Sequence, residues 1–333
     1  MTKFLCAFLF LFQAYANCVH EMSLTGKEIK AHPKRLNFLI ENKDARFIPY
    51  HNIVEDLNDR QEYDIQIQHV EMNTESSEGY NDRYLKYYSY ERLENYLNSK
   101  KEKLSTMNYE VSIIGKSIRG LNLYHIAPKR IDQNKKLILM FGRHHGDEGT
   151  ANWIIEGFLD HFMTNKEFRD EYQLVLYPMV NPDGAKSRTR YNANGRDLNR
   201  VWDTDYRKSK DEIGVIQGHF LSNYTKPLIM LDMHGSFTED FIYRVDRNFK
   251  GHDFYNTQQS FIDTLSSFDP YQNGNFHTSN GHRKMSRIYF INKFNINALT
   301  HETPRDIRKN GRRDINDLKS QGLALIDSIK KEI

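Results

Sequence analysis

Leu137-Ile-Leu-Met-Phe-Gly-Arg-His-His-Gly-Asp-Glu148 is the stretch on which the reading of the fold turns. It begins as an unbroken apolar run, Leu137 to Phe141, too short for a helix and suited to a strand buried on both faces. The run stops at Gly142, and polar chemistry follows at once. His145 and Glu148 stand three apart, in a turn between that strand and a helical pattern. That spacing puts both side chains on one side of the backbone. An imidazole and a carboxylate so placed can hold one zinc ion. Histidine and glutamate are common on loops, so the pair carries weight only with a third ligand and a base.

The flanking sequence supplies the frame. Tyr90, Leu93 and Leu97 keep helical spacing. Tyr109 to Ile114 and Leu121 to Ile126 read as strands joined by a hairpin turn at Gly115–Gly120. Ile154, Ile155, Phe158, Leu159 and Phe162 form one stripe of a helix over about 150–163. Tyr172 to Val180 is a strand, closed by Asn181-Pro-Asp-Gly184 as a turn. Leu228 to Met233 is another buried strand, Ile296 to Thr300 a shorter one, and 314–333 an amphipathic helix. Strands alternate with helices. The expected fold is therefore α/β, with a mixed, largely parallel central sheet flanked by helices.

Length and composition bound the rest. The 333 residues suffice for one large domain and a small appendage. A net charge of +3 gives no basis for nucleic-acid binding or a polybasic membrane patch. Lys3, the apolar run Phe4 to Phe12 and Ala14-Tyr-Ala16 have the form of a signal peptide cleaved near Ala16, which predicts export to a periplasmic or secreted location. With Cys6 lost, Cys18 has no partner for a disulfide, and Asn17 is a poor residue before a lipidated cysteine. No transmembrane segment is expected in the mature chain. Residues 17–80 are polar and weakly patterned, apart from a strand-like Ile65-Gln-Ile-Gln-His-Val70. They read as an N-terminal appendage, and 81–333 as the catalytic domain.

Each remaining chemical group follows a predicted strand, where open α/β sheets place their ligands. His234 follows Leu228 to Met233 and is the natural third ligand. Two histidines and one glutamate leave an open metal position, the arrangement of a catalytic site, and no cysteine cluster exists to close it. A carboxylate must take the proton of a metal-activated water and pass it to a leaving amine. Glu302, in Thr300-His-Glu-Thr-Pro304, suits that task. Arg188, Arg190, Arg196 and Arg200 crowd 187–200 and suggest an anionic substrate group such as a free carboxylate.

Together, His145-Gly-Asp-Glu148, Asn181-Pro-Asp-Gly184, Arg190-x6-Asp197-Leu-Asn-Arg200, Asp232-Met-His234-Gly and Thr300-x-Glu302 resemble the zinc metallocarboxypeptidases over about residues 87 to 333. The phrasing His144-His-Gly-Asp-Glu148 with Trp153-Ile-Ile-Glu-Gly-Phe158 is most similar to the cytosolic-carboxypeptidase-like branch. Arg190-Tyr-Asn-Ala-Asn-Gly195 is also similar to bacterial members that cut peptidoglycan peptides.

The resemblance implies one Zn2+ held by His145, Glu148 and His234, with Glu302 as general base. It implies Arg190 as the group polarising the scissile carbonyl, and Asn199 with Arg200 gripping the substrate carboxylate. Asp197 would orient the first zinc histidine. The implied reaction removes one C-terminal residue from a peptide. Hydrolysis of peptidoglycan peptides or N-acyl amino acids would use the same groups, and a binding module that does not cut is the reading from another class. The family's tyrosine, roughly twenty residues before the base, has no counterpart there, because Phe276 and His277 fill that window. Arg283, Lys284 and Arg287 lie in the segment that lines the family's side-chain pocket. One of them pointing inward would favour acidic terminal residues.

Overall fold

The computed structural model describes residues 18–24, 65–71, 88–237, 239–305 and 313–332. The chain divides into two compact units, 1–81 and 82–333. In the first, strands β1 (Cys18–Leu24) and β2 (Ile65–Glu71) pair antiparallel, Cys18 opposite Glu71. The segment read as a signal peptide lies outside the described residues.

The second unit opens with α1 (Tyr90–Thr106). Ser89 caps it, its hydroxyl accepting from the Arg92 N–H at 3.0 Å without a reciprocal glutamate. There follow β3 (Tyr109–Lys116), β4 (Asn122–Pro128), β5 (Lys136–Gly142), α2 (Thr150–Thr164), α3 (Lys166–Glu171) and β6 (Tyr172–Tyr177). Next come α4 (Pro182–Ser187), α5 (Glu212–Asn223), β7 (Ile229–Ser236), β8 (Phe241–Arg244) and α6 (Arg247–Lys250). The chain continues with α7 (His252–Phe268), β9 (Phe276–Thr278), α8 (Ser286–Phe294), β10 (Asn297–Pro304) and α9 (Ile315–Glu332). Among the described residues no helix is long and apolar enough to cross a membrane.

The eight-stranded sheet runs β3-β4-β6-β5-β7-β10-β8-β9. Its centre, β6-β5-β7-β10, is parallel, and antiparallel pairs at β3/β4, β4/β6 and β10/β8 flank it. The fold is the mixed, largely parallel α/β sheet that the sequence pattern implies. Alternate residues of the central strands feed two cores. Ile138, Met140, Leu231 and Leu299 pack with α1, α2, α7 and α9. Leu139, Phe141, Met230 and Ala298 pack with α5 and α8. Burial on both faces is why these strands read as continuous apolar runs.

Two local expectations change. Asn181-Pro-Asp-Gly184 opens a helix instead of forming a turn. The Asn181 side chain caps α4, accepting from the Gly184 N–H at 2.9 Å, and Pro182 occupies the first helical position, where its missing N–H costs nothing. Strands β7 and β10 also run past their apolar stretches, to Ser236 and Pro304, so His234 and Glu302 sit inside strands and not beyond them.

Helices α2 and α9 cross at glycines. A Cβ on Gly157 would lie 2.1 Å from the Lys319 carbonyl oxygen, and one on Gly322 would lie 2.2 Å from the Phe158 nitrogen. Backbone cannot yield as a flexible side chain does. Gly322→Ala is expected to destabilise the protein by about 1–3 kcal/mol, read from denaturant unfolding. An unchanged midpoint would show that the helices separate at no cost.

Candidate metal centre

The centre forms where the parallel strands end. The chain reaches β6 on one side of β5 and returns to β7 on the other, and the crevice above such a reversal is where α/β sheets bind ligands. After β5 the backbone turns sharply at Arg143, whose φ is 63°. The buried Arg143 side chain then supports the loop from beneath, donating to the Gly146 carbonyl at 2.9 Å and the Asn152 carboxamide at 2.8 Å. Gly146 presses so closely on α4 that a Cβ there would lie 1.9 Å from Gly184. The loop is thereby fixed with His145 and Glu148 facing inward.

Strand register brings the other groups. Glu302 on β10 lies opposite His234 on β7 and Phe241 on β8. One step back, Thr300 lies opposite Asp232 and Tyr243. Side chains two apart share a face, so these six residues form two rows on the face covered by α5 and α8.

The ligand atoms converge there. Glu148 places one oxygen 2.8 Å from His145 Nδ1 and the other 2.8 Å from His234 Nδ1, and the two Nδ1 atoms are 3.1 Å apart. The opposite ring nitrogens face carboxylates, His145 Nε2 to Asp197 at 3.1 Å and His234 Nε2 to Asp232 at 3.0 Å. A protonated Nε2 turned to a carboxylate leaves the Nδ1 lone pair directed at the cluster, the arrangement that orients metal-bound histidines. The donor set of two imidazoles and one carboxylate, all buried, fits a zinc ion.

A second grouping, His144 with Asp232 and His234, is also compact. It fits less well. His144 Nδ1 faces Asp232 at 2.7 Å and His144 Nε2 accepts from the Trp202 indole at 3.0 Å, so both ring nitrogens are committed.

Electrostatics follow from this geometry. Burial resists the charge on His234, but the Asp232 and Glu148 carboxylates overcome it and hold the imidazole well above its ordinary range. Burial likewise opposes ionised Glu148, and His145, His234 and Arg305 outweigh it, so this carboxyl is held well below its usual range. Burial pushes Glu302 up to about 7, with Glu148 adding to the effect. Among the described residues no hydrogen bond or ion pair engages the Glu302 carboxylate.

The arginines divide. Arg190 enters the cluster, with Nη2 2.8 Å from Asp197 and Nη1 3.1 Å from His145 Nδ1. Arg200 is exposed and, among the described residues, donates to the Asn199 carbonyl at 2.8 Å. Arg196 turns away to Asp211 at 2.6 Å, and Arg188 closes α4 in the left-handed conformation with φ 55°. Of the four, Arg190 thus joins the cluster and Arg196 is claimed elsewhere. The Asn199 carboxamide is buried, accepting from the Ser286 N–H at 2.8 Å and donating to Asp232 at 3.3 Å, so it ties the start of α8 to β7.

The sequence gives no role to His144, Asp232, Trp202, Ser286, Tyr243 or Arg305. Asp232 alone had a local signal, two residues before His234 on the same strand face.

Residues 93–227 match the family model described as zinc carboxypeptidase. Over those residues the chain is similar to a zinc carboxypeptidase domain. It is 24% identical over 266 residues to cytosolic carboxypeptidase 2 of Macaca fascicularis, covering 73% of this chain and 32% of that protein. The mouse cytosolic carboxypeptidase 2 is 26% identical over 238 residues, covering 64% and 27%. The chain thus spans about a third of the length of these curated relatives. In fold it is similar to a metallo-carboxypeptidase from Burkholderia cenocepacia, with TM-score 0.64 and 20% identity over 73% of this chain and 68% of that one. It is also similar to carboxypeptidase A from Helicoverpa armigera, with TM-score 0.57 and 14% identity over 95% and 97%. The family uses zinc, in agreement with the donor set. The expectation of export does not survive. The curated relatives are named cytosolic carboxypeptidases, which points to the cytosol and away from an exported protein.

Removing the Asp232 charge should loosen His234. Asp232→Asn is expected to weaken zinc binding by about 10- to 100-fold, measured by competition with a chelator of known affinity. Affinity equal to the parent protein would mean that the backbone alone orients the imidazole.

Proposed function

We propose that this chain is a zinc-dependent metallocarboxypeptidase that hydrolyses the C-terminal peptide bond of a peptide. The observation that carries the reading is Glu302. It is a half-buried residue whose carboxylate is unengaged by neighbours among the described residues, set in register beside His234 at the three-ligand cluster.

His145, Glu148 and His234 would hold the zinc. When bound, it would polarise the carbonyl and acidify water. Glu302 takes the proton as the water oxygen bonds to the carbonyl carbon. It then delivers that proton to the amine nitrogen as the C–N bond breaks. Arg190 sits against the cluster with its charge shared by Asp197, placed to donate to the oxygen where negative charge develops. The exposed guanidinium of Arg200 takes the terminal carboxylate, while Asn199 holds Asp232 and the start of α8.

The substrate's last side chain would lie over the sheet face beyond Glu302. Three polar groups point to an acidic one. Arg287 is buried, with Nη2 donating to the Ser279 carbonyl at 2.8 Å, while Nε and Nη1 have no hydrogen-bond partner among the described residues. Burial pulls its pKa down to about 10, the mark of a cation short of counter-charge. The Thr300 hydroxyl is also buried without a partner among the described residues, and Tyr243 stands on the same face, within reach of the charges of Glu302 and Arg287. A glutamate side chain would satisfy such donors. Arg283 is exposed near Asp203 and takes no part.

Glu302→Gln should keep zinc and lower kcat by about 100- to 10,000-fold. Retained turnover with zinc bound would sink the assignment of the base. On peptides ending in Glu, Lys and Phe, the parent protein should prefer Glu, and Arg287→Gln should lose that preference by about 10-fold or more at unchanged thermal stability. Equal rates on all three peptides would dismiss the acidic pocket.

A further inference from the structure

We propose that Arg305 is a positioning residue that fixes the carboxylate of Glu148 in its metal-binding posture, an inference that rests on the zinc reading of the site. Arg305 leaves the end of β10 three residues after Glu302, and its backbone N–H donates to the Ser236 carbonyl at 2.9 Å. Its guanidinium then reaches three acceptors at once. Nε donates to the Gly235 carbonyl at 2.9 Å, Nη1 to Asp147 at 2.5 Å and Nη2 to Glu148 Oε1 at 2.7 Å. The Phe237 ring lies 4.3 Å from the guanidinium carbon.

Glu148 is therefore gripped on its outer side by two donors. Arg305 takes Oε1, and the Gly235 N–H takes Oε2 at 3.1 Å. Each oxygen keeps its inner side toward a histidine Nδ1. Gly235 serves both ends of the clamp, donating to Glu148 and accepting from Arg305. The packing there is tight enough that a Cβ on Gly235 would lie 2.9 Å from the Glu148 Cβ.

A lone cation beside a ligand carboxylate would oppose binding of a divalent metal. Here Asp147, the residue before the ligand, sits on the same guanidinium and offsets its charge. What remains is orientation. A planar fork fixed at three points aims Glu148, which a lysine ammonium on a flexible stem cannot do. This separates Arg305 from Arg190, which is tied to Asp197 and touches the cluster itself.

The test measures zinc affinity, by chelator competition, for the full chain and for Arg305→Lys, Arg305→Gln and Asp147→Asn. Thermal unfolding of the metal-free forms and the visible spectrum of the cobalt-substituted forms accompany it. Arg305→Gln should bind zinc about 10- to 100-fold more weakly and Arg305→Lys about 10-fold more weakly. Both should shift the cobalt spectrum while unfolding at the parent temperature. Asp147→Asn should also weaken binding, since it leaves the cation uncompensated. Affinity within twofold of the parent in Arg305→Lys overturns the proposal, and that variant keeps the charge and carries the test if Arg305→Gln does not fold. Weakening that merely tracks lost metal-free stability overturns it too. A parent protein that binds no zinc overturns the proposed function as well, which tells the two failures apart.

Discussion

The site depends on one fully buried carboxylate, Asp232. It faces His144 at 2.7 Å and His234 at 3.0 Å, and accepts from the Asn199 carboxamide and the Ser286 hydroxyl. Taking an ionised carboxylate out of water costs several kcal/mol, so such a group persists only when every lone pair is used. Asp232 meets that condition by drawing on four different segments. The loop after β5, the 3-10 turn at Leu198–Arg200, β7 and the first residue of α8 all end on it. The charge that orients a metal ligand is thus also the tie that closes α8 over the sheet. Catalytic geometry and local folding share one interaction.

Strand pairing supplies the second constraint. His234 and Glu302 are 68 positions apart by their numbers, yet a parallel register fixes them side by side. A slip of one residue would turn Glu302 to the opposite face, among the apolar side chains beneath α2 and α9. The rigid centre of the sheet therefore sets the distance between Glu302 and His234, while the loop after β5 contributes His145 and Glu148. That loop is held in turn by buried Arg143 and by the contact between Gly146 and α4.

How much of this could be read in the sequence follows from how local each feature is. Strands β5 and β7 announce themselves as apolar runs, and the His145–Glu148 pair, His234 and Glu302 stand in short motifs beside them. Helix α7 was legible in principle, with Phe261, Ile262 and Leu265 at helical spacing, but polar residues dilute the pattern and no motif drew attention to it. The partners of Asp232 were not legible. His144 is 88 residues away and Ser286 is 54, and nothing in either segment marks it as a hydrogen-bond partner. Asn199 stands in a legible motif, but a carboxamide can brace a fold or face a substrate, and its bonds to Ser286 and Asp232 cannot be read from sequence. Nor does anything local in 187–200 show that Asp211 claims Arg196.

The charge balance of the cleft argues for a cation at its centre. Glu148, Asp197, Asp232 and Glu302 face one small region. Arg190 and Arg305 offset part of that charge, and Arg305 is itself shared with Asp147. Two side chains answer the excess by holding on to protons. His234 stays charged well above its ordinary range despite burial, because of Asp232 and Glu148. Glu302 titrates near 7, because of burial and then Glu148. A proton on His234 Nδ1 and a metal ion would compete for the same lone pair, so metal binding at this cluster must release protons. A nearby divalent charge would also draw Glu302 toward its ionised form, the form a general base requires. The same excess of negative charge that makes the bare cluster hold protons therefore favours a dication there, and its arrival would prepare the base beside it.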